Sequence, residues 1–351
     1  MHVAGATRGR DVTGRRPATL QDVADAAGVS LATASRALNG GTRRVKDEYR
    51  ERVEAAADRL GYSVNSSAQS VALGRARSIA LVVSDIADPY FSQLASGAFR
   101  AAARDRLVVT LAMTEWDPAR ELDIVRELRG QRHRAIILSG SRVDDEDAAE
   151  RLLAELLAFE SEGGRVIVLG RPGLPFATLE IDNAGGAAEL ARRLSGLGYE
   201  RIAVLGGPAR LDAARSRVGG LVTGFAAAGV AVDPSLVVES DFTRDGGYAA
   251  AGEVLERIAD VDLVVAVNDV MAVGAMTRLR EAGVAVPGDL AVAGFDDIAM
   301  LRDVAPSLTT VRLPLEDMGE RALVLATVEG RDPVREVVSG EVVLRDSTPS
   351  R

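Results

Sequence analysis

The spacing of apolar residues changes period near residue 78. Before it, Leu20, Val23, Ala24 and Ala27 recur at helical spacing. Thr19-Leu20-Gln21-Asp22 has the form of a capping box, with a hydroxyl at the N-cap and a carboxylate three residues on. Gly28 supplies a tight turn, and Ser30 can cap a second helix over 31–38. A third, amphipathic helix is expected over 47–60, ending at Gly61, a C-cap signal. Residues 65–74 are polar, with Ala68, Val71 and Ala72 interspersed. A helix so short and so poor in apolar surface is marginal in water and needs a partner.

From Ser78 onward short β-branched runs alternate with Ala/Leu-rich helical stretches. The runs are 79–83, 107–112, 135–138, 165–169, 202–205, 237–239, 263–267 and 290–293. Each is followed by loop residues and a helical pattern, the signature of parallel βαβ units covered on both faces. The strands are too many for one modest sheet. Two doubly wound lobes are expected, with a ligand cleft at the carboxyl ends of the strands.

Charge adds a second division. The chain carries a formal net charge of −9, yet residues 1–78 hold +5 and the remainder −14. A basic module on an acidic body fits a DNA-binding head joined to a sensor. No Cys is present, so disulfides, thiolate metal sites and Cys nucleophiles are excluded. The two histidines, His2 and His133, read as solvated surface residues without partners for a metal site or a triad, so no metal and no cofactor are expected. No stretch has the unbroken apolar length of a membrane span, and residues 1–16 read as a flexible leader without a secretory apolar core, which predicts a cytoplasmic protein and no membrane partner.

Specific residues then narrow the reading. Thr19 through Ser30, TLQDVADAAGVS, followed by Thr33, Ser35-Arg36 and Leu38-Asn39-Gly40, closely resembles the helix-turn-helix of LacI/GalR transcription regulators. The likeness continues through Leu60-Gly61-Tyr62, Asp88-Pro89-Tyr90-Phe91, Gly198-Tyr199, Asn268-Asp269, Gly294-Phe295-Asp296-Asp297 and Leu308-Thr309-Thr310-Val311, and spans residues 17 to about 347. The resemblance implies an all-α helix-turn-helix module at 17–63, a hinge helix at 64–77 and a two-lobed α/β sensor at 78–351, similar to type I periplasmic binding proteins. Its N-lobe would take about 78–181 and 309–340, and its C-lobe about 182–308 and 341–348. Three passages between lobes are expected, near 180–183, 306–310 and Gly340.

In a helix-turn-helix the N-terminal residues of the second helix meet base edges in the major groove. Here they are Leu31, Ala32 and Arg36. Arg36 is suited to bidentate pairing with guanine, whereas Leu31 and Ala32 offer only apolar contact. Thr19, Ser30, Thr33, Ser35, Asn39 and Arg44 are candidates for phosphate contacts, which position without specifying. The resemblance places Asn65, Ala68, Gln69 and Val71 in a hinge helix in the minor groove. Family members wedge a Leu into the central base step where Val71 stands, and a shorter wedge bends DNA less deeply. Lys46 and Tyr49 depart from the Ser and Thr usual at the start of the third helix.

For the sensor, the resemblance implies a ligand cleft lined by Ser84, Tyr90, Phe91, Arg171, Arg217, Phe242, Asn268 and Asp296. Arg217 is a fixed planar donor fork, Asn268 both donates and accepts, and Asp296 accepts, as a hydroxylated ligand requires. Sugar-responsive relatives often carry Asp where Gly170 stands. The expected effector is a sugar or sugar derivative; the absent carboxylate, with Arg171 beside it, leaves an anionic one such as a phosphorylated or acidic sugar open, and the ligands of regulators with the same Gly-Arg pair vary. The expected protein is a dimeric, ligand-controlled repressor of a pseudo-palindromic operator. No heptad tail follows Arg345-Asp346-Ser347, so no coiled-coil tetramer is expected.

Two other classes fit less well. A transport-type binding protein would explain the lobes but not the basic head or the leader. A doubly wound enzyme would need a phosphate-binding glycine loop or a nucleophile with its base; neither G-x-x-x-x-G-K-[ST] nor G-x-S-x-G occurs. Gly206-Gly207-Pro208 is glycine-rich, but Pro208 removes a donor N–H where a phosphate loop would use one.

Overall fold

Thr19 and Asp22 cap each other at the start of α1 (Leu20–Ala27): the Thr19 N–H donates to Asp22 Oδ2 at 2.7 Å, and the Asp22 N–H donates to Thr19 Oγ1 at 3.3 Å. Gly28, at φ 64°, closes the helix in the left-handed conformation that only glycine adopts without strain. Ser30 Oγ accepts from the Thr33 N–H at the head of α2 (Leu31–Asn39), and α3 (Asp47–Leu60) ends at Gly61. The three helices bury a small core of Val23, Ala24, Ala27, Ala34, Val53, Ala56 and Ala57. Arg52 Nη2 reaches back to the Ala27 carbonyl at 2.6 Å, placing a cation on the carbonyl end of α1.

This computed structural model describes residue 16 and residues 18–39, 45–62, 77–140, 145–170, 173–328 and 334–351. The chain divides into two units, Met1–Ala76 and Arg77–Arg351.

The second unit holds two doubly wound sheets. The first is built from β1 (Ser78–Val83), β2 (Val108–Met113), β3 (Ala135–Ser139), β4 (Arg165–Leu169), β5 (Ala177–Ile181) and β11 (Arg335–Val338), all parallel, in the order β11-β5-β4-β3-β1-β2. Helices α4 (Pro89–Arg104), α5 (Pro118–Gly130) and α6 (Glu146–Ser161) alternate with its strands. Strands β1, β3 and β4 are buried on both faces, which explains why they read as unbroken apolar runs. One face packs Leu81, Phe91 and Leu94 together, and the other packs Val125, Leu156 and Phe159.

Past α7 (Asn183–Gly196), the second sheet contains β6 (Ile202–Gly206), β7 (Val237–Glu239), β8 (Leu263–Ala266) and β9 (Ala291–Ala293), in the order β7-β6-β8-β9. Around it lie α8 (Asp212–Ala227), α9 (Arg244–Leu255) and α10 (Asp269–Glu281). A two-stranded ladder of β10 (Thr310–Arg312) and β12 (Glu341–Val343) adjoins it through an Ala293–Thr309 bridge. Then α11 (Leu315–Thr327) packs on α4, so closely that a Cβ on Gly319 would lie 1.9 Å from the Leu94 carbonyl oxygen.

Three positions depart from the sequence-based expectation. The second passage between the sheets falls at Leu313-Pro314, not at 306–310, because Thr310–Arg312 pairs with β12 beside the second sheet. The N-lobe's second segment therefore starts after β10, not at 309. His133 is not a solvated surface residue: it is 6% exposed, its Nε2 meets Gln131 Oε1 at 3.0 Å, and its Nδ1 has no hydrogen-bond partner. Burial lowers its pKa. Among the described residues, no helix is long and apolar enough to cross a membrane.

Candidate functional site

The first two turns of α2 present Leu31, Ala32 and Arg36 outward. Leu31 is 46% exposed, an uncommon state for a leucine in so small a module. Arg36 Nε donates to the Ala32 carbonyl at 2.9 Å, which lays the guanidinium along the helix. Thr19 Oγ1 donates to Asp22 Oδ2 at 2.7 Å, and Ser30 and Thr33 share a 2.8 Å hydroxyl contact, so these hydroxyls already serve as caps. The Thr19 bonds hold the Asp22 carboxyl below its ordinary range. Ser35 lies half-buried within α2, and Asn39 is its last residue. Arg44, Asn65, Ala68, Gln69, Val71 and Arg171 lie outside the described residues.

In the second unit a small, partly open cavity lies where the carboxyl ends of both sheets converge. Its polar wall is centred on Arg217 of α8, which is 3% exposed. Arg217 Nε donates to Asn183 Oδ1 at 2.8 Å and Nη1 donates to the Val267 carbonyl at 2.8 Å. Nη2 stands 2.9 Å from Asp296 Oδ1 as an ion pair, though not in hydrogen-bond alignment. The guanidinium also lies 3.9 Å from the centre of the Phe295 ring. Four protein groups thus fix one cation before any ligand arrives.

Asp296 follows β9 with a φ of 118°, a strained conformation for a residue with a Cβ. It is 4% exposed, and Oδ1 lacks a hydrogen-bond donor. Burial raises its pKa, and Arg217 opposes that rise. Asp269, wholly buried behind it, is raised by burial as well, although it accepts from Thr310 Oγ1 at 2.7 Å and the Ile298 N–H at 3.0 Å. Its neighbour Asn268 is the N-cap of α10: Oδ1 accepts from the Met271 N–H at 2.8 Å and Nδ2 donates to the Phe242 carbonyl at 3.3 Å.

The opposite wall is aromatic. Trp116 sits between Phe91 and Phe242, 5.9 Å from each ring centre and edge-on to both, and Tyr90 meets Phe91 at 4.9 Å. Each such pair is worth about 0.5–1.5 kcal/mol beyond its buried area. The loop that carries the indole holds Glu115 at φ 55° and Trp116 at φ 61°, both left-handed. Asp88, also on the wall, caps α4 by accepting from the Tyr90 N–H at 2.9 Å. Its pKa is pushed up to about 6, mainly by burial and further by the like charge of Asp85, against the Tyr90 N–H and, more weakly, Arg217. Gly170, at φ 72°, ends β4 at the rim.

Of the residues expected in the cleft, Tyr90, Phe91, Arg217, Phe242 and Asp296 line this cavity together. Ser84, buried at the end of β1, and Asn268, spent on capping and bracing, do not line it. Trp116, Asp88 and Asn183 line it and were not picked out from the sequence. Asp88 immediately before Pro89 is an N-cap signal, and a lone Trp in a polar TEWDP loop is unusual; either could have pointed there.

Residues 19–65 match the family model described as "Bacterial regulatory proteins, lacI family", and residues 191–348 match "Periplasmic binding protein-like domain". The HTH-type transcriptional regulator CelR of Thermobifida fusca is 35% identical over 342 residues, 95% of this chain and 99% of that protein. GalR of Escherichia coli strain K12 is 31% identical over 339 residues, 95% and 97% of the two chains. Among solved structures, the complex of CelR with cellobiose matches with a TM-score of 0.68 at 32% identity, over 94% of this chain and 99% of that one. The Lac repressor dimer bound to operator and the anti-inducer ONPF matches with a TM-score of 0.78 at 27% identity, over 95% and 100%.

Proposed function

This chain belongs to the lacI family of bacterial regulatory proteins, which are DNA-binding regulators of transcription and not enzymes, and from that premise we propose that it is a cytoplasmic repressor acting as a homodimer on a pseudo-palindromic operator, controlled by a small sugar-like effector in the cavity around Arg217. One observation carries the effector half of this reading. A prearranged, buried Arg217–Asp296 pair faces an open cavity, with a carboxylate oxygen lacking a donor. Such a pair offers donors and acceptors at fixed positions, which hydroxyl groups satisfy. The complex of CelR with cellobiose supports a sugar, and the operator-bound Lac repressor dimer supports two heads on one site.

In this reading Leu31, Ala32 and Arg36 meet base edges. Thr19, Ser30, Thr33, Ser35, Asn39 and Arg44 meet phosphates through hydroxyl, amide or guanidinium groups. Residues 64–77 form the hinge, with Asn65, Ala68, Gln69 and Val71 at the minor groove. Residues 1–16 are a leader, 17–63 the head and 78–351 the sensor. Tyr90, Phe91, Arg171, Arg217, Phe242 and Asp296 contact the effector, with Ser84 and Asn268 supporting them from behind. The effector shifts the regulator between two states by the difference of its affinities for them, a coupling of about 1–3 kcal/mol.

The reading is tested by selecting random duplexes at fixed salt with the full chain and with Arg36→Ala. A pseudo-palindrome that Arg36→Ala relaxes at one symmetric position is the expected result. Weak binding without sequence preference, falling steeply with salt, would reject operator recognition by this head.

A further inference from the structure

Among 42 Lys and Arg residues, Lys46 is the one lysine. It stands at the N-cap of α3, exposed, and its side chain caps nothing. Ser, Thr, Asn or Asp would hold the helix better there, so helix stability gives no reason for a lysine. Its ammonium has no partner among the described residues.

Tyr49 follows three residues later. Lys46, Tyr49, Val53, Ala56 and Ala57 fall on one side of α3 at helical spacing, and the last three belong to the core of the head. The first turn thus carries Lys46 and Tyr49 past the edge of that core, on the side where α1 and α2 pack. Asp47, Glu48, Glu51 and Glu54 fall on the other sides of the helix, and Asp47 is matched by Arg50 at 3.6 Å. Arg52 joins the Tyr49 ring to the helix-turn-helix. Its guanidinium lies 5.8 Å from the ring centre, while Nη2 donates to the Ala27 carbonyl at 2.6 Å. Ala27 ends α1, Gly28 makes the turn and α2 begins at Leu31. The ring is 37% exposed, and its hydroxyl has no partner among the described residues.

An ammonium and a phenol O–H, both exposed and uncommitted, therefore flank the turn that leads into α2. An ammonium is a point charge that suits a phosphate, and Tyr hydroxyls donate to phosphate oxygens. We infer that Lys46 and Tyr49 grip the phosphate backbone of duplex DNA beside the groove that α2 enters, with Arg52 fixing the place of the ring. The inference rests on the head binding DNA, as proposed above.

The test is binding of the full chain to a duplex of arbitrary sequence over a range of salt, since backbone contacts carry no sequence information. Lys46→Ser should reduce the slope of log K against log salt by about 0.9 for each head bound, and Lys46→Arg should keep it. Tyr49→Phe should weaken binding about tenfold with the slope unchanged, as expected for one hydrogen bond to a charged oxygen. Serine is the better N-cap, so a loss of binding in Lys46→Ser runs opposite to its effect on α3. A slope that Lys46→Ser leaves unchanged, or that Lys46→Arg lowers as far, would overturn the role of the ammonium. Full-strength binding by Tyr49→Phe would overturn that of the phenol. A second measurement needs no loss of function. Reductive methylation with carbon-13 formaldehyde labels Lys46 and the α-amine alone, and the Lys46 methyl signal, identified by its absence from Lys46→Arg, should shift when duplex is added. A signal indifferent to bound DNA would overturn the grip. A parent chain that binds no duplex would sink operator recognition itself and this inference with it; a parent that binds while these changes do nothing sinks the grip alone.

Discussion

Arg217 Nη2 and Asp296 Oδ1 lie 2.9 Å apart with their side chains 3% and 6% exposed, so the cavity's main polar pair is an ion pair shielded from water. Removing one partner of such a pair leaves a charge without compensation, a loss of about 3–5 kcal/mol. Asp296→Asn keeps the shape and strands the Arg217 cation. Urea unfolding of the second unit should show a loss of about that size, whereas Arg217→Met with Asp296→Asn together should recover part of it. A double variant as unstable as the sum of the singles would show that the pair is not a unit.

A pH effect is assigned to Asp88. Its folded pKa of about 6 means that the fold keeps a proton which the unfolded chain releases above 3.8. The contribution is full below pH 3.8 and is lost as pH rises through 6. Asp88→Asn removes it while other carboxylates titrate alike in both proteins. The unfolding free energy of the parent minus that of Asp88→Asn should therefore fall by about 1–2 kcal/mol between pH 4 and 7, allowing for solvent screening. A difference that stays flat over that range would place Asp88 in water.

Two glycines give opposite expectations. Gly319→Ala drives a Cβ to within 1.9 Å of the Leu94 carbonyl, where α4 and α11 cross, and should cost about 3 kcal/mol or prevent folding. Gly130→Ala, near the end of α5 with open space around it, should be neutral or stabilise by up to about 1 kcal/mol. Thermal unfolding of both variants decides the matter; equal effects would mean that the helix crossing is looser than described.

The Thr19–Asp22 box acts as one motif. Thr19→Ala should weaken α1 by about 1 kcal/mol, and adding Asp22→Ala should cost little more. Hydrogen exchange at the Asp22 and Val23 amides measures it. Additive losses would assign the two side chains separate tasks.

The elements legible from sequence were those whose local chemistry and burial agree. Helix α1 carries a capping box and a glycine stop, α3 a glycine stop at Gly61, and β1, β3 and β4 are buried on both faces, so their apolar runs are unbroken. Strands β5, β10, β11 and β12 were not read as strands. They are three to five residues long, and charged residues interrupt them, as in Arg335-Glu336-Val337-Val338. Their pairing comes from neighbours far along the chain, which no local period announces. His133 looked like a surface residue because its flanks are charged, yet the turn before β3 folds it inward. Arg217 and Asp296 of the polar wall and Tyr90, Phe91 and Phe242 of the aromatic wall were legible from the sequence. Trp116 was not, because it reaches the cavity through a pair of left-handed residues in an otherwise polar loop.

The passage at Leu313-Pro314 also sets an order of events during synthesis. The first sheet gains its outer strand β11 and its covering helix α11 only after every strand of the second sheet, and β10 of the ladder beside it, has left the ribosome. Until then the α4 surface around Leu94, Gly97 and Ala98, which α11 will cover, has no partner within the chain. The lobe that begins first is thus completed late, and a chain stopped before residue 315 would carry a bare apolar face for a chaperone to find.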